Sequence, residues 1–211
     1  MSRRSLILIF IVALLTAAAY GLAIYGFYAG RIIYVPTGAM MNTIVPGDRL
    51  MARKFSREVK RGQVLVFQYP GDDTYYLGRV IGLPNETLEV RGTSVYIDRN
   101  KRVNEQKVMV RSVDPEDKLE ELATEGQGRY SVFYEARAES ERVQDPAVDG
   151  PHQIPAGHYF MMGDNRDNSE DSRYRGSVPR ERIWGEVFMI YYSTKVRTDE
   201  VRWDRFLKSI Q

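Results

Sequence analysis

The N-terminal segment constrains the fold more than any other part of the chain. After Arg4 no charged residue occurs until Arg31, and the segment between them is almost entirely apolar. A helix needs about 20 consecutive apolar residues to cross the hydrocarbon core of a bilayer. The pattern therefore predicts a transmembrane anchor over residues 5–30, preceded by a short tail of residues 1–4.

The flanks of this segment indicate its orientation. Arg3 and Arg4 lie on the short side, and basic residues are enriched on the cytoplasmic side of membrane spans. The sequence thus predicts a single-pass protein of the cytoplasmic membrane, with its N-terminus in the cytoplasm and its main domain on the outer face (periplasmic or extracellular). A cleaved signal peptide is the alternative, because Ala17, Ala18 and Ala19 supply small residues. The apolar run continues beyond the ~7–15 residues typical of such a peptide, which favours the anchor.

Composition argues against several kinds of site. The 211 residues include no cysteine, two histidines, and 30 basic against 28 acidic side chains. Without cysteine there are no disulfides, thiolate zinc sites or cysteine nucleophiles, and two histidines are too few for most metal sites. The balanced charge argues against nucleic acid as a partner. We expect no metal and no other cofactor.

Beyond the anchor, the apolar runs are short and rich in β-branched and aromatic residues, as is typical of strands. Residues 63–69 have a continuous apolar centre and are bounded by glycine and proline, which predicts a buried strand. Residues 87–90 and 94–97 alternate in polarity around a turn, which predicts a hairpin. We therefore expect a mainly β core over residues 31–99 and 156–211.

The composition changes between residues 100 and 155, where charges of both signs alternate and turn residues cluster. This pattern predicts an inserted α+β subdomain with a solvated, charged face. Within it, Asp114 and Pro115 provide a cap and a first-turn proline, and Gly126 provides a stop, so we expect a helix between them.

A second helix is expected at the C-terminus. Trp203, Phe206, Leu207 and Ile210 recur at helical spacing. We expect this apolar stripe to pack against the sheet.

Four separated segments carry a pattern of motifs behind the predicted anchor. They read VPTGAMM (35–41) followed by PGD (46–48), RGQVLVF (61–67), GRVIGLP (78–84) and GDNRDNSEDSR (163–173). Together they resemble type I signal peptidase, the membrane-anchored Ser–Lys protease family that removes signal peptides from exported proteins. The resemblance implies a coiled β-sheet catalytic core behind one N-terminal transmembrane helix. It also implies the membrane as a partner, and exported preproteins or their signal peptides as ligands.

The chemistry of this family needs two residues that the sequence lacks. In the family a serine hydroxyl attacks the scissile carbonyl, and a neutral lysine amine accepts its proton. The resemblance places the serine immediately before the methionine of the first segment, and the lysine immediately before the arginine of the third. Those two positions hold Ala39 and Gly78. Arg79 cannot replace the lysine, because a guanidinium stays protonated.

The remaining positions match the family pattern. By resemblance, Thr37 occupies the position of the side-chain oxyanion donor, and Ser169 that of the serine that orients the lysine. The residues that match positions near the pockets for small side chains before the cleavage point are Val35, Pro36, Met40, Tyr76 and Leu77. The residues that match structural charges holding the loop are Asp164, Arg166, Asp171 and Arg173. For the apolar set, ordinary core packing is an equal interpretation, since pockets are lined by the same residue types.

Three functions fit these observations. The first is a signal peptidase I homologue that is proteolytically inactive and retains a cleft for signal peptides. The second is an active signal peptidase I, either altered by mutagenesis at these positions or with its dyad relocated. The third is a structural membrane protein that binds no peptide. The double loss favours the first, because removal of a nucleophile alone costs on the order of a millionfold in turnover.

Overall fold

The structure, a computed structural model, describes residues 3–54, 58–111, 120–125, 127–136 and 146–210. The chain divides into two units, of which the first ends at Arg31 and the second begins at Ile32. The first unit consists mainly of helix α1 (Arg3–Ala29). Among the described residues, no helix has both the length and the apolar character of a membrane span.

The rest of the chain is mainly β, as the sequence predicts. The strands in chain order are β1 (Gly30–Tyr34), β2 (Asp48–Lys54), β3 (Val64–Phe67), β4 (Tyr76–Gly82), β5 (Thr87–Arg91), β6 (Ser94–Ile97), β7 (Lys101–Arg102), β8 (Gln106–Arg111), β9 (Glu120–Glu125), β10 (Ser131–Glu135), β11 (His152–Gln153), β12 (His158–Met162), β13 (Val178–Pro179), β14 (Ile183–Ser193) and β15 (Lys208–Ser209). In the described ranges, the single-turn helices α2 (Pro146–Asp149) and α3 (Ser172–Arg175) and the 3₁₀ turns Arg180–Arg182 and Trp203–Arg205 interrupt them.

The described strands form three sheets. The largest has the order β1-β2-β14-β3-β4-β12-β13, with β15 paired to β14, and the smaller ones are β11-β5-β6-β7 and β10-β8-β9. The predicted buried strand is β3, whose four residues are all buried between β14 and β4. The predicted hairpin is β5 with β6, whose residues alternate between more and less buried positions, as half-exposed strands do.

The two smaller sheets share a core with the large sheet. Ile81 of β4 and Phe160 of β12 pack in one buried cluster with Leu88 of β5 and Val132 of β10. The four-stranded sheet combines β5 and β6, which precede residue 100, with β11, which follows Gly150. The segment 100–155 therefore contributes strands to the same core as its flanks.

The predicted helix between residues 114 and 126 is wrong where the chain is described. Residues 112–119 lie outside the described residues, and Glu120–Glu125 is the strand β9, antiparallel to β8. Pairing with β8 satisfies the backbone there, and tertiary pairing overrides local helix propensity. The expected solvated face also fails at Glu105 and Lys107, which are 7% and 6% exposed.

The predicted C-terminal helix is also wrong. The chain forms the 3₁₀ turn Trp203–Arg205 and then β15, and Trp203 is 73% exposed. The residue that anchors this turn is Arg205, which is fully buried and donates to both carboxylate oxygens of Asp48, at 3.0 and 2.6 Å. Of the apolar stripe, Ile210 packs against the core.

Two buried ion pairs connect the loop after β12 to the rest of the protein. Arg79 of β4 donates hydrogen bonds of 2.8 and 2.7 Å to the carboxylate of Asp164. Arg166 donates to both carboxylate oxygens of Glu105, which lies just before β8. Counted over side-chain atoms alone, all four are at most 3% exposed. Because buried charges persist only when paired and hydrogen-bonded, these contacts fix the loop at two points.

Replacing Glu105 with glutamine is expected to lower the free energy of unfolding by about 3–5 kcal/mol, because Arg166 then lacks its buried counter-ion. The matched control is Glu89→Gln, since Glu89 forms an exposed pair with Arg91, and exposed pairs contribute little. Urea denaturation of the two variants measures the difference. Equal stability of Glu105→Gln and the unmodified protein would contradict the role of this pair.

Candidate functional site

A cleft of about 380 Å³ lies within the large sheet and its loops. It is lined by the segment that follows β1, by the first half of β4 with its preceding loop, and by the loop that follows β12. The structure brings together in this cleft every residue predicted for the catalytic positions and the substrate pockets: Val35, Pro36, Thr37, Ala39, Met40, Tyr76, Leu77, Gly78 and Ser169. Of the four predicted structural charges, Asp171 also lines the cleft.

Ala39 is held by the loop that follows β12. The backbone N–H of Asn165 donates to the carbonyl oxygen of Ala39 at 3.0 Å, and the side-chain amide of Asn165 donates to the carbonyl of Gly38 at 3.0 Å. Gly163 approaches so closely that an added Cβ would lie 2.5 Å from the Ala39 oxygen and 2.3 Å from the Ser169 hydroxyl. Only glycine permits this approach, which brings Ser169 close to Ala39.

Gly78 lies inside β4, where it pairs with Leu65 of β3. It is buried, and an added Cβ would lie 3.2 Å from the ring of Phe67 and 3.3 Å from the Cβ of Met161. Both neighbours line the cleft. A larger side chain at position 78 would therefore enter the cleft and require these neighbours to shift by a few tenths of an ångström.

The cleft contains hydroxyl groups without a lysine or histidine beside them. Thr37, Thr74 and Ser169 supply the aliphatic hydroxyls, and none of the lining residues, all of which are described, is lysine or histidine. Arg79 follows Gly78 in sequence but binds Asp164. Burial acts to lower the pKa of Arg79, but Asp164 more than offsets it and the pKa lies above its usual value. Among the described residues, no group of three or more His, Cys, Asp or Glu side chains is arranged to hold a metal.

Hydrogen bonds of Asp171 and Arg173 stabilise the loop that follows β12. Arg173 donates hydrogen bonds of 2.8 and 2.9 Å to the two carboxylate oxygens of Asp171 and a third, of 2.7 Å, to the carbonyl of Arg166. The carboxylate of Asp171 also accepts from the backbone N–H of Gly163 at 2.9 Å. Burial acts to lower the pKa of Arg173, but Asp171 raises it by more. These contacts tie both ends of the loop to each other.

Sequence reasoning missed an aromatic wall of the cleft. Phe67, Tyr69 and Tyr75 line it together with Tyr76, and burial raises the pKa of Tyr69. The rings of Phe67 and Tyr69 meet edge to face at 5.2 Å. The run 63–69 is apolar throughout its centre, so its sequence gives no signal of which residues face a cleft.

The comparisons with known proteins agree with the motifs. The sequence matches the family model described as "Signal peptidase, peptidase S26" over residues 3–192. The chain belongs to this signal peptidase family. Signal peptidase I of Pseudomonas fluorescens is 37% identical over 188 residues, which cover 75% of this chain and 63% of that protein. Signal peptidase I of Aquifex aeolicus is 32% identical over 208 residues, which cover 80% of this chain and 78% of that protein.

A crystal structure of a signal peptidase I from Enterococcus faecalis aligns with a TM-score of 0.37 and 25% sequence identity, covering 63% of this chain and 98% of that one. The alignment with the Pseudomonas fluorescens signal peptidase spans 63% of the length of that protein.

The predicted resemblance to signal peptidase I is confirmed at the level of the family. The roles of Ala39 and Gly78 stay predictions.

Proposed function

We propose that this chain is a signal peptidase I homologue that binds the signal-peptide segment of exported preproteins and does not cut it. The observation that carries the proposal is a single cleft lined by the predicted substrate residues, with Ala39 and Gly78 at the positions of nucleophile and base. The relatives named signal peptidase I supply the class of ligand.

The first half of β4 offers a backbone edge to an extended peptide. Residues 76–78 pair with β3 along one edge, whereas β12 begins to pair with β4 at Arg79. Among the described strands, none pairs with the other edge of residues 76–78. A peptide laid along that edge would gain main-chain hydrogen bonds, as in other cases of strand addition.

The cleft suits small side chains on that peptide. Alternate side chains of an extended peptide point to the same face, so every second residue would enter the cleft. Val35, Met40 and Leu77 supply apolar contacts there. The volume of about 380 Å³ is near the lower end of the range of about 300–1,000 Å³ for ligand pockets.

The same cleft lacks the groups that would cut the peptide. The methyl group of Ala39 cannot attack a carbonyl, and Gly78 has no amine to accept a proton. Thr37, at the oxyanion position, and Ser169, at the base-orienting position, retain hydroxyls that can hydrogen-bond a peptide backbone. The catalytic positions thus become binding positions.

The four charged residues of the loop keep a structural role in this proposal. Three ion pairs hold the loop against Ala39. They join Asp171 to Arg173, Asp164 to Arg79, and Arg166 to Glu105. This arrangement requires neither member of the dyad.

We further propose that the uncharged segment of residues 5–30 anchors the protein in the cytoplasmic membrane, with its N-terminus in the cytoplasm and its main domain outside. Residues 5–30 carry no charge, and the basic residues lie on the short side. Large apolar side chains of α1 are more than half exposed, among them Leu8, Phe10 and Leu15. Apolar surface of this extent is typical of a segment covered by lipid or by another protein.

A preprotein with a photoreactive residue near its cleavage point tests the proposed binding without cleavage. The unmodified protein is expected to crosslink to it and leave it intact. The double variant Ala39→Ser, Gly78→Lys is expected to cut it after a small residue, because nucleophile and base return to a retained cleft. Either single variant is expected to stay near the background of the unmodified protein, since each lacks half of the dyad.

Excess unlabelled signal peptide should abolish the crosslink. Absence of any crosslink would favour a structural membrane protein. Cleavage by the unmodified protein would favour an active signal peptidase I with a relocated dyad.

The absence of cysteine allows the topology to be tested with single introduced thiols. A membrane-impermeant maleimide added to spheroplasts is expected to label Thr198→Cys, whose position is exposed in the main domain. It should label Ser2→Cys only after lysis, because the N-terminus would lie in the cytoplasm. The reverse labelling pattern, or release of the protein by carbonate extraction, would rule out the proposed topology.

A further inference from the structure

A group of contacts behind the cleft connects two of its walls. The guanidinium of Arg175 lies over the rings of Tyr69 and Tyr76, 5.1 and 4.9 Å from their centroids. The two rings meet edge to face at 5.1 Å. Arg175 also forms an ion pair of 3.3 Å with Glu170, in the loop after β12. The side chain of Arg175 thus connects the β3–β4 side of the cleft to the loop that follows β12.

Asp72 completes this group. Its carboxylate oxygen Oδ2 accepts hydrogen bonds from the hydroxyl of Tyr76 at 2.7 Å and from Arg175 at 3.1 Å. The other oxygen accepts from the backbone N–H of Thr74 at 2.8 Å, which fixes the turn before β4. The Thr74 N–H and the Tyr76 hydroxyl hold the pKa of Asp72 well below its usual range, and Asp72 raises the pKa of Tyr76.

The members of this group have different relations to the cleft. Tyr69, Tyr76 and Glu170 line it, whereas Asp72 and Arg175 do not. Tyr76 is only half-buried, and its ring packs against the rings of Phe67 and Tyr69. Two polar contacts add to this packing, one at its hydroxyl and one at its ring, and each comes from a residue that does not line the cleft.

We propose that Asp72 and Arg175 act as a clasp that positions Tyr76 and thereby limits the size of the peptide side chain that the cleft accepts. This inference rests on the proposed function, because it assumes that a signal-peptide segment binds there. Asp72 and Arg175 are positioning residues, since they act through Tyr76. Loosening the clasp lets the ring swing outward, and larger side chains then fit.

Binding of two synthetic signal-peptide segments to the full-length protein in detergent tests the clasp. The segments are identical except for alanine or leucine at the residue before the cleavage point, and fluorescence anisotropy gives both dissociation constants. The unmodified protein is expected to prefer the alanine segment by about tenfold or more, the scale on which pockets discriminate a few methylene groups. Arg175→Gln and Tyr76→Phe are expected to reduce this preference to about threefold or less, chiefly through tighter binding of the leucine segment.

Two matched controls make the same two types of substitution at residues that do not belong to the clasp. Arg182→Gln removes a half-buried arginine whose ion pair with Asp73 is 3.9 Å long, and Tyr174→Phe removes the hydroxyl of an exposed tyrosine. Both are expected to keep the preference of the unmodified protein.

The outcomes separate the inference from the proposed function. If the unmodified protein binds neither segment, the proposed function fails and the clasp fails with it. If it binds with a preference that Arg175→Gln and Tyr76→Phe leave unchanged, only the clasp is overturned. Equal weakening of both segments in these variants would also overturn it, because that result indicates a merely structural role.

Discussion

The buried pairing of Arg79 with Asp164 and of Arg166 with Glu105 fixes the loop on which the cleft depends. A buried guanidinium is tolerated only when a carboxylate is held against it in good geometry. Each pair therefore fixes the relative position of the two segments that carry it. Asp164 and Arg166 flank Asn165, whose backbone N–H holds the carbonyl oxygen of Ala39. The position of Ala39, where the family resemblance places the nucleophile, is therefore set by charges that lie outside the cleft.

The residues that hold the loop and the position predicted for the base face opposite sides of the sheet. Gly78 and Arg79 are neighbours in β4, and successive residues of a strand face opposite sides of a sheet. A Cβ on Gly78 would contact cleft residues such as Phe67, whereas Arg79 contacts Asp164 and the ring of Tyr130 on the other side. The buried pair of Arg79 and Asp164 therefore does not depend on the side chain at position 78, and the proposed function requires this independence.

The sequence pattern predicted those strands whose burial and pairing follow directly from the order of their own residues. The buried run of β3 and the alternating hairpin of β5 and β6 were predictable, because burial and pairing there follow the period of the residues themselves. The predicted helices failed where contacts outside the segment itself decided the structure. β9 pairs with the preceding strand β8, and the C-terminal turn is held by Arg205 on Asp48, 157 residues away. The cleft residues were predicted from motifs by resemblance, whereas the clasp of Asp72 and Arg175 joins segments 103 residues apart and leaves no local signal.

A cleft that binds without cutting has a direct experimental signature. Hydrogen–deuterium exchange of the full chain, with and without a signal peptide, reports on the unpaired edge of residues 76–78, while the mass of the peptide reports on cleavage. Strand addition at a cleft without a dyad predicts slower amide exchange within residues 76–78 and a peptide of unchanged mass. Unchanged exchange at these residues, or a peptide shortened during the incubation, would contradict it.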